Sequence, residues 1–132
     1  MSPKRLTTRR AEKPWGHRRS RVALKYYEVG DLVASEGGEA INVCVGLCVL
    51  AGIAAADAIC VAAIGERYSG QDHAAAAELL SQVDAEAGKH LRRLVSLKPG
   101  AHYGDRLLSV KDRAAALSSA KKLVTRAQMR YT

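Results

Sequence analysis

The sequence contains no phenylalanine, and aromatic residues make up only 5% of its 132 residues. Alanine, leucine and valine supply most of its apolar side chains instead. Small side chains of this kind favour closely packed helices over a β-sandwich. The length is typical of one domain that buries a substantial hydrophobic core.

Cysteine is also scarce: the three cysteines, Cys44, Cys48 and Cys60, all fall in one predicted helix. Cysteines on one helix do not build a disulfide framework, so we expect a reducing, cytoplasmic environment. Cys44 and Cys48 share a helix face, but no CxxC or paired-histidine motif completes a tetrahedral site. No metal and no cofactor is therefore predicted. The N-terminal residues also lack the apolar segment and the cleavage site of a signal peptide.

Acidic residues are nearly missing from the first 21 positions, which contain eight Lys and Arg against the single Glu12. The other positions have 13 basic and 12 acidic residues, so almost the whole net charge of +8 belongs to the N-terminus. Residues 1–19 are predicted to form a flexible basic arm. Such an arm either binds a polyanion such as nucleic acid or serves only as a solvated tail. The arginines predicted to contact nucleic acid are Arg5, Arg9, Arg10, Arg18 and Arg19.

Apolar periodicity and helix-ending residues predict five helices in a domain spanning residues 20–132. Gly37 and Gly38 follow the first helix, Gly65 ends the second, and Pro99 ends the fourth. Asp72 and Ser109 are suited to cap the third and fifth helices. No strand is predicted. The expected fold is an all-α, up-and-down bundle whose helices cover residues 20–35, 39–64, 72–83, 85–97 and 109–129.

The second helix is long enough to span a membrane, but Asp57 interrupts it and many of its residues are alanine. We interpret it as a helix buried among its neighbours, with no membrane partner.

A carboxylate inside such a helix, here that of Asp57, requires a partner. His73 is the predicted partner, with Arg67, Lys98, His102, Tyr103 or a backbone amide as alternatives. The pair either forms part of a functional site or only fixes the register of the bundle.

Arg67 and His73 form an R-x5-H pattern, in which the guanidinium can neutralise a phosphate while the imidazole transfers protons. His102 and Tyr103 follow Lys98 in a predicted loop, where they either carry function or pack over the end of the bundle.

The single tryptophan, Trp15, lies among basic residues. Its ring can stack on a nucleobase or can pack the arm onto the bundle.

Three segments give the chain a resemblance to small bacterial HEPN-domain proteins, a superfamily of helical bundles. They are LAGIAAADAIC in the second helix, GQDHAAAAELL in the third, and LVSLKPGAHYGDRLLSVKDRAAALSSAKKLVTRA at the end. HYGD stands where many HEPN relatives have an RYPD-like turn. The final helix shows A-x-x-A-like spacing at Ala114, Leu117 and Ala120.

The resemblance implies a homodimer that associates with RNA or nucleotides. Many HEPN proteins are metal-independent ribonucleases of toxin or defence type, and others are inactive partners of nucleotidyltransferases. In a ribonuclease, His73 or His102 would act as acid or base, Arg67 or Lys98 would contact phosphate, and Asp57 would orient a histidine. Lys98 and Tyr103 would also contact nucleic acid. The alternatives are a non-catalytic nucleic-acid-binding or adaptor bundle, and a structural component of a larger assembly that docks through the basic arm.

Overall fold

The computed structural model of the protein describes residues 6–132 and shows an all-α bundle of five helices with one small sheet. The prediction of an all-α helical bundle is confirmed. The elements, in chain order, are β1 (Thr8–Arg10), α1 (Lys13–Leu32), α2 (Ala40–Ile64), β2 (Glu66–Tyr68), α3 (His73–Val83), α4 (Ala85–Tyr103) and α5 (Val110–Met129).

The helix α2 is the centre of the bundle and packs against the other four helices. Gly65 ends it in the left-handed conformation, with φ of 69°, as the sequence predicts. Within residues 6–132, α2 is the one helix whose length and composition would also suit a membrane span. Most of its residues are nevertheless buried by the neighbouring helices, and Val43 and Ile64, near its two ends, are exposed.

The sheet was not predicted: β1 and β2 pair in antiparallel register, with Thr8 opposite Tyr68 and Arg10 opposite Glu66. The Thr8 hydroxyl donates a hydrogen bond of 2.6 Å to the Glu66 carboxylate. Two three-residue strands are too short to show an alternating pattern, so the sequence does not reveal them. The part of the predicted flexible arm that includes β1 is therefore paired with the bundle.

The first helix begins at Lys13, seven residues before the predicted start, with Pro14 in its first turn, where proline is tolerated. Its buried residues are mostly small: Gly16, Ser20, Ala23 and Gly30. This small face lets α1 lie close to α2. Val22 and Val29 lie on another face of α1, where 39% and 40% of their surface is exposed.

The helices α3 and α4 form a tight hairpin in which Asp84 ends the first and caps the second. The Asp84 carboxylate accepts a hydrogen bond from the Ala87 amide and two more from the Arg126 guanidinium on α5. Ser109 and Asp112 form a capping box that opens α5. The predicted caps at positions 72 and 109 are therefore confirmed.

The helix α4 continues through Pro99 to Tyr103, so the prediction that Pro99 ends it is wrong. Tertiary contacts that hold the following loop against the end of α4 and against α2 outweigh the local cost of proline. The Asn42 amide group on α2 donates to the carbonyl of Arg106 at 3.1 Å, and its oxygen accepts from the Leu108 amide at 2.8 Å. Leu108 also lies over Gly100, where an added Cβ would be 2.9 Å from it.

Candidate nucleic-acid interface

A surface groove of about 500 Å³ opens where β1, β2 and the start of α1 meet. Four of its lining residues are arginines, one is the only tryptophan, and one is acidic. The full lining is Arg9, Arg10, Ala11, Glu12, Pro14, Trp15, Arg18 and Arg67. We call this surface the basic groove. It collects arginines from three separate elements of the fold.

The register of the sheet places Arg9 directly opposite Arg67. Residues opposite each other in an antiparallel pair have Cβ atoms about 5 Å apart, and like charges at that separation repel. The guanidinium of Arg67 lies over the Trp15 ring, 5.2 Å from its centroid, in a cation–π contact. The Trp15 ring thus holds the Arg67 guanidinium in the groove, on the same face of the sheet as Arg9.

A smaller cavity of about 90 Å³ lies on the other side of β2, between α2, α3 and α4. Its lining is mostly apolar, but three polar side chains reach it. The lining residues are Ile53, Ala56, Asp57, Cys60, Tyr68, Gly70, His73, Ala76, Leu91 and Val95. Asp57 and His73 therefore share one cavity, although within residues 6–132 no hydrogen bond joins them.

The ion-pair partner of Asp57 is Arg19 on α1, at 3.5 Å. The Asp57 side chain is only 18% exposed. Burial raises the pKa of Asp57 to about 6, and the positive charges of Arg19 and Arg67 oppose that rise only in part. A carboxyl group with a pKa near neutrality in a cavity is a frequent mark of a functional site.

A second polar cluster joins the start of α3 to the last turns of α4. The amine of Lys98 contacts Nε2 of His73. Burial, followed by the positive charge of Lys98 and a smaller effect of His102, lowers the pKa of His73, while Asp72 acts in the opposite direction. His102 is exposed and packs beside Gly46 of α2. We call His73, Lys98 and His102 the histidine–lysine cluster.

The structure divides the predicted site residues between these places. Arg67 lines the basic groove and His73 the cavity, so the R-x5-H pair is not assembled at one site. Tyr103 ends α4 with 78% of its surface exposed, beside the His102 ring. Arg5 lies outside the described residues. Within residues 6–132, no group of three or more His, Cys, Asp or Glu side chains is placed to hold a metal ion.

Sequence reasoning missed the pairing of Arg19 with Asp57, because it placed Arg19 in the arm before the first helix. One signal could have found it. Small residues recur at helical spacing at Gly16, Ser20, Ala23 and Gly30. This pattern indicates a helix that begins before residue 20 and packs its face of small residues against a neighbouring helix. Arg19 lies beside that face, where it reaches the carboxylate on α2.

Comparison of the chain with models of known protein families found no match, and comparison with curated proteins found none. The resemblance to HEPN-domain proteins therefore stays a prediction from the sequence.

Proposed function

We propose that the protein binds single-stranded RNA, and that the RNA backbone lies in the basic groove. The observation that carries this proposal is the position of Arg9 opposite Arg67, with Arg18 beside them and Trp15 beneath. RNA association is also what the sequence resemblance implies.

The charges of the groove support an anionic ligand. Glu12 is the one acidic residue in its lining, against four arginines. The arginines at positions 9 and 67 repel each other in the free protein, and a bound phosphate removes that repulsion. Arginine is suited to this task because its planar guanidinium donates two hydrogen bonds to one phosphate group.

The aromatic ring supports a nucleic acid over a small anion. Proteins that bind single strands combine a positive groove with aromatic rings on which bases stack. Trp15 is partly exposed in the same groove, although one face is shared with Arg67. A strand in the groove can thus contact both a charge and a ring.

The double substitution Arg9→Gln and Arg18→Gln tests the proposal. We expect it to weaken binding of a single-stranded oligonucleotide about tenfold at moderate salt, and to lower the salt slope by about 1.4 because two phosphate contacts are lost. Binding is measured by fluorescence anisotropy at several salt concentrations. The matched control, Lys111→Gln with Lys121→Gln, removes the same charge from exposed positions of α5.

Equal weakening in both double variants would show that only net charge matters, and would contradict a groove at this site. Wild-type protein that binds no oligonucleotide even at low salt would also contradict the proposal.

The groove also predicts the direction of a change in stability. Arg9→Gln should leave the free energy of unfolding equal to that of wild type or slightly higher, because the substitution removes repulsion from Arg67.

A second function, cleavage of the RNA backbone, is supported by the histidine–lysine cluster. Metal-independent cleavage needs a base to take the 2′-hydroxyl proton and an acid to protonate the leaving 5′-oxygen. A cation stabilises the negative charge that develops on the non-bridging phosphate oxygens during these two steps. His73, with its lowered pKa, suits the base, His102 suits the acid, and Lys98 suits the cation.

Cleavage of labelled RNA by purified protein in EDTA tests this second function. We expect His73→Ala and His102→Ala each to lower the cleavage rate at least a hundredfold, since each removes one proton transfer. The control is His90→Gln, which changes a buried histidine that bonds Ser119 in the core. Retained cleavage in both alanine variants, or none in folded wild-type protein that binds RNA, would contradict this function.

A further inference from the structure

A second surface groove, of about 490 Å³, lies along the outer face of α1 and adjoins the basic groove. Arg18 lines both grooves, so the two meet at its side chain. The full lining of the second groove is Arg18, Arg21, Val22, Leu24, Lys25 and Glu28. We call this surface the α1 groove. A ligand that leaves the basic groove past Arg18 therefore enters the α1 groove directly.

Three of the six residues that line the α1 groove are cations at helical spacing. Arg21 follows Arg18 by three residues and Lys25 follows Arg21 by four, so the three side chains lie on one face of the helix. All three residues are exposed. They recur at intervals of about one helical turn, or about 5 Å. Such a row suits a ligand whose negative charges also repeat, whereas one small anion would use only one of the cations.

The row of cations ends at Lys25, because the next charged residues on α1 are acidic. The Glu28 carboxylate pairs with the Lys25 amine at 3.3 Å. Asp31, nearly one turn further along the helix, is exposed as well. A polyanion that follows the cations is therefore repelled beyond this point. The length of α1 open to it runs from Arg18 to Lys25, which is about 10 Å of helix.

This length fits a short piece of a nucleic-acid strand. Stacked nucleotides advance about 3.4 Å each along one strand, and unstacked nucleotides advance further, so about 10 Å of helix faces two or three nucleotides. Val22 lies between Arg18 and Lys25 with 39% of its surface exposed. Its side chain offers the sugars of the strand an apolar contact beside the charges.

We propose that a single strand bound in the basic groove continues past Arg18 into the α1 groove, where Arg21 and Lys25 bind its next phosphates. The inference rests on the proposed RNA binding and adds a second binding segment with a defined end at Glu28. Binding should therefore depend on the length of the strand, since only a strand longer than the basic groove reaches Arg21 and Lys25.

Binding of uridine oligomers of two lengths, followed by fluorescence anisotropy, tests this dependence. We expect an oligomer of about four nucleotides to fill the basic groove and one of about eight to reach along α1 as well. Wild-type protein should bind the longer oligomer about tenfold more tightly at one salt concentration. Arg21→Gln with Lys25→Gln should remove that gain, lower the salt slope of the longer oligomer by about 1.4, and leave binding of the shorter one unchanged.

The matched control is again Lys111→Gln with Lys121→Gln, which removes the same charge from exposed positions of α5. It should keep the gain from the shorter to the longer oligomer. Glutamine is a good helix former, so the α1 variant should keep the fold, which circular dichroism checks.

Glu28→Gln supplies a test of opposite sign. It frees Lys25 from its ion pair and removes the charge that repels the strand. We expect it to strengthen binding of the longer oligomer about threefold and to leave the shorter one unchanged.

The outcomes separate this inference from the proposed function. Arg9→Gln with Arg18→Gln should weaken binding at both lengths, because it alters the basic groove. If it does so while Arg21→Gln with Lys25→Gln behaves like the α5 control, the α1 groove is overturned and the basic groove stands. Equal wild-type affinity for the two lengths would also overturn the α1 groove and leave an acidic protein as its occupant. Absence of binding to every oligomer would overturn both proposals.

Discussion

Replacing Gly88 by alanine is expected to destabilise the protein by about 3 kcal/mol, because an added methyl group has no room between α3 and α4. A Cβ at position 88 would lie 1.9 Å from Oγ of Ser81 and 2.9 Å from its Cα. Rotation can move the hydroxyl group away, but the backbone atom moves only if the two helices separate. Separation would also disturb Asp84, which caps α4 and bonds Arg126.

Urea unfolding followed by circular dichroism measures this loss, and the midpoint of thermal unfolding should fall by about 10 °C. Gly37→Ala is the matched control, since a Cβ there has no atom within 4 Å. That control should change stability by less than about 1 kcal/mol. Adding Ser81→Gly to the Gly88 variant should restore part of the stability. A Gly88→Ala protein as stable as wild type would contradict the tight α3–α4 hairpin.

The ends of several helices can be predicted from the sequence because local backbone chemistry sets them. Gly65 adopts a left-handed conformation that other residues rarely take. Asp72 and Ser109 accept hydrogen bonds from amides that a helix leaves free in its first turn. Each of these signals involves only a few neighbouring residues, so it does not depend on how the rest of the chain packs.

The two wrong boundaries are those at which distant contacts outweigh local preference. Pro99 would end α4, but Asn42, 64 residues before Arg106, holds the following loop against α2. At the other end of the chain, α1 begins at Lys13 and not at residue 20, because Gly16 in its first turns packs closely against the rest of the bundle. Close packing of small side chains leaves a pattern of small residues at helical spacing and no stripe of large apolar residues.

The candidate sites depend on the same long-range geometry. A charge count finds a basic N-terminus, but only the strand register places Arg9 against Arg67, 58 residues later. The sequence identifies Asp57 as an unusual residue and predicts His73 as its partner, but the two residues only line the same cavity. The partner in the structure is Arg19, which the sequence analysis placed in the arm before the first helix.

The substitution Asp57→Asn is expected to stabilise the protein at pH 8 by about 2 kcal/mol, although it removes the ion pair with Arg19. The cause is burial, which raises the pKa of Asp57 to about 6 in the folded protein. The unfolded chain has the ordinary value, near 3.8. Ionising the carboxyl group therefore costs more free energy in the folded state than in the unfolded state.

The direction of the pH dependence follows from proton binding. Between pH 3.8 and about 6 the folded state holds a proton on Asp57 that the unfolded state has released. The contribution of this group is thus fully present below that range and is lost as the pH rises through 6. Asparagine resembles the protonated carboxyl group and does not ionise. The free energy of unfolding of the variant should therefore equal that of wild type near pH 4 and exceed it by the full amount above pH 7.

Urea unfolding of wild type and variant at several pH values measures this difference. His73 and His90, whose pKa values burial lowers, make both proteins less stable in acid, and their contribution is common to both proteins in the comparison. Asp105→Asn removes the same charge from the exposed loop after α4 and should show no such growth with pH. A variant less stable than wild type at pH 8 would mean that Arg19 more than offsets the burial of Asp57. A stabilised variant would mean that the burial of the Asp57 carboxylate costs more free energy than its ion pair with Arg19 returns.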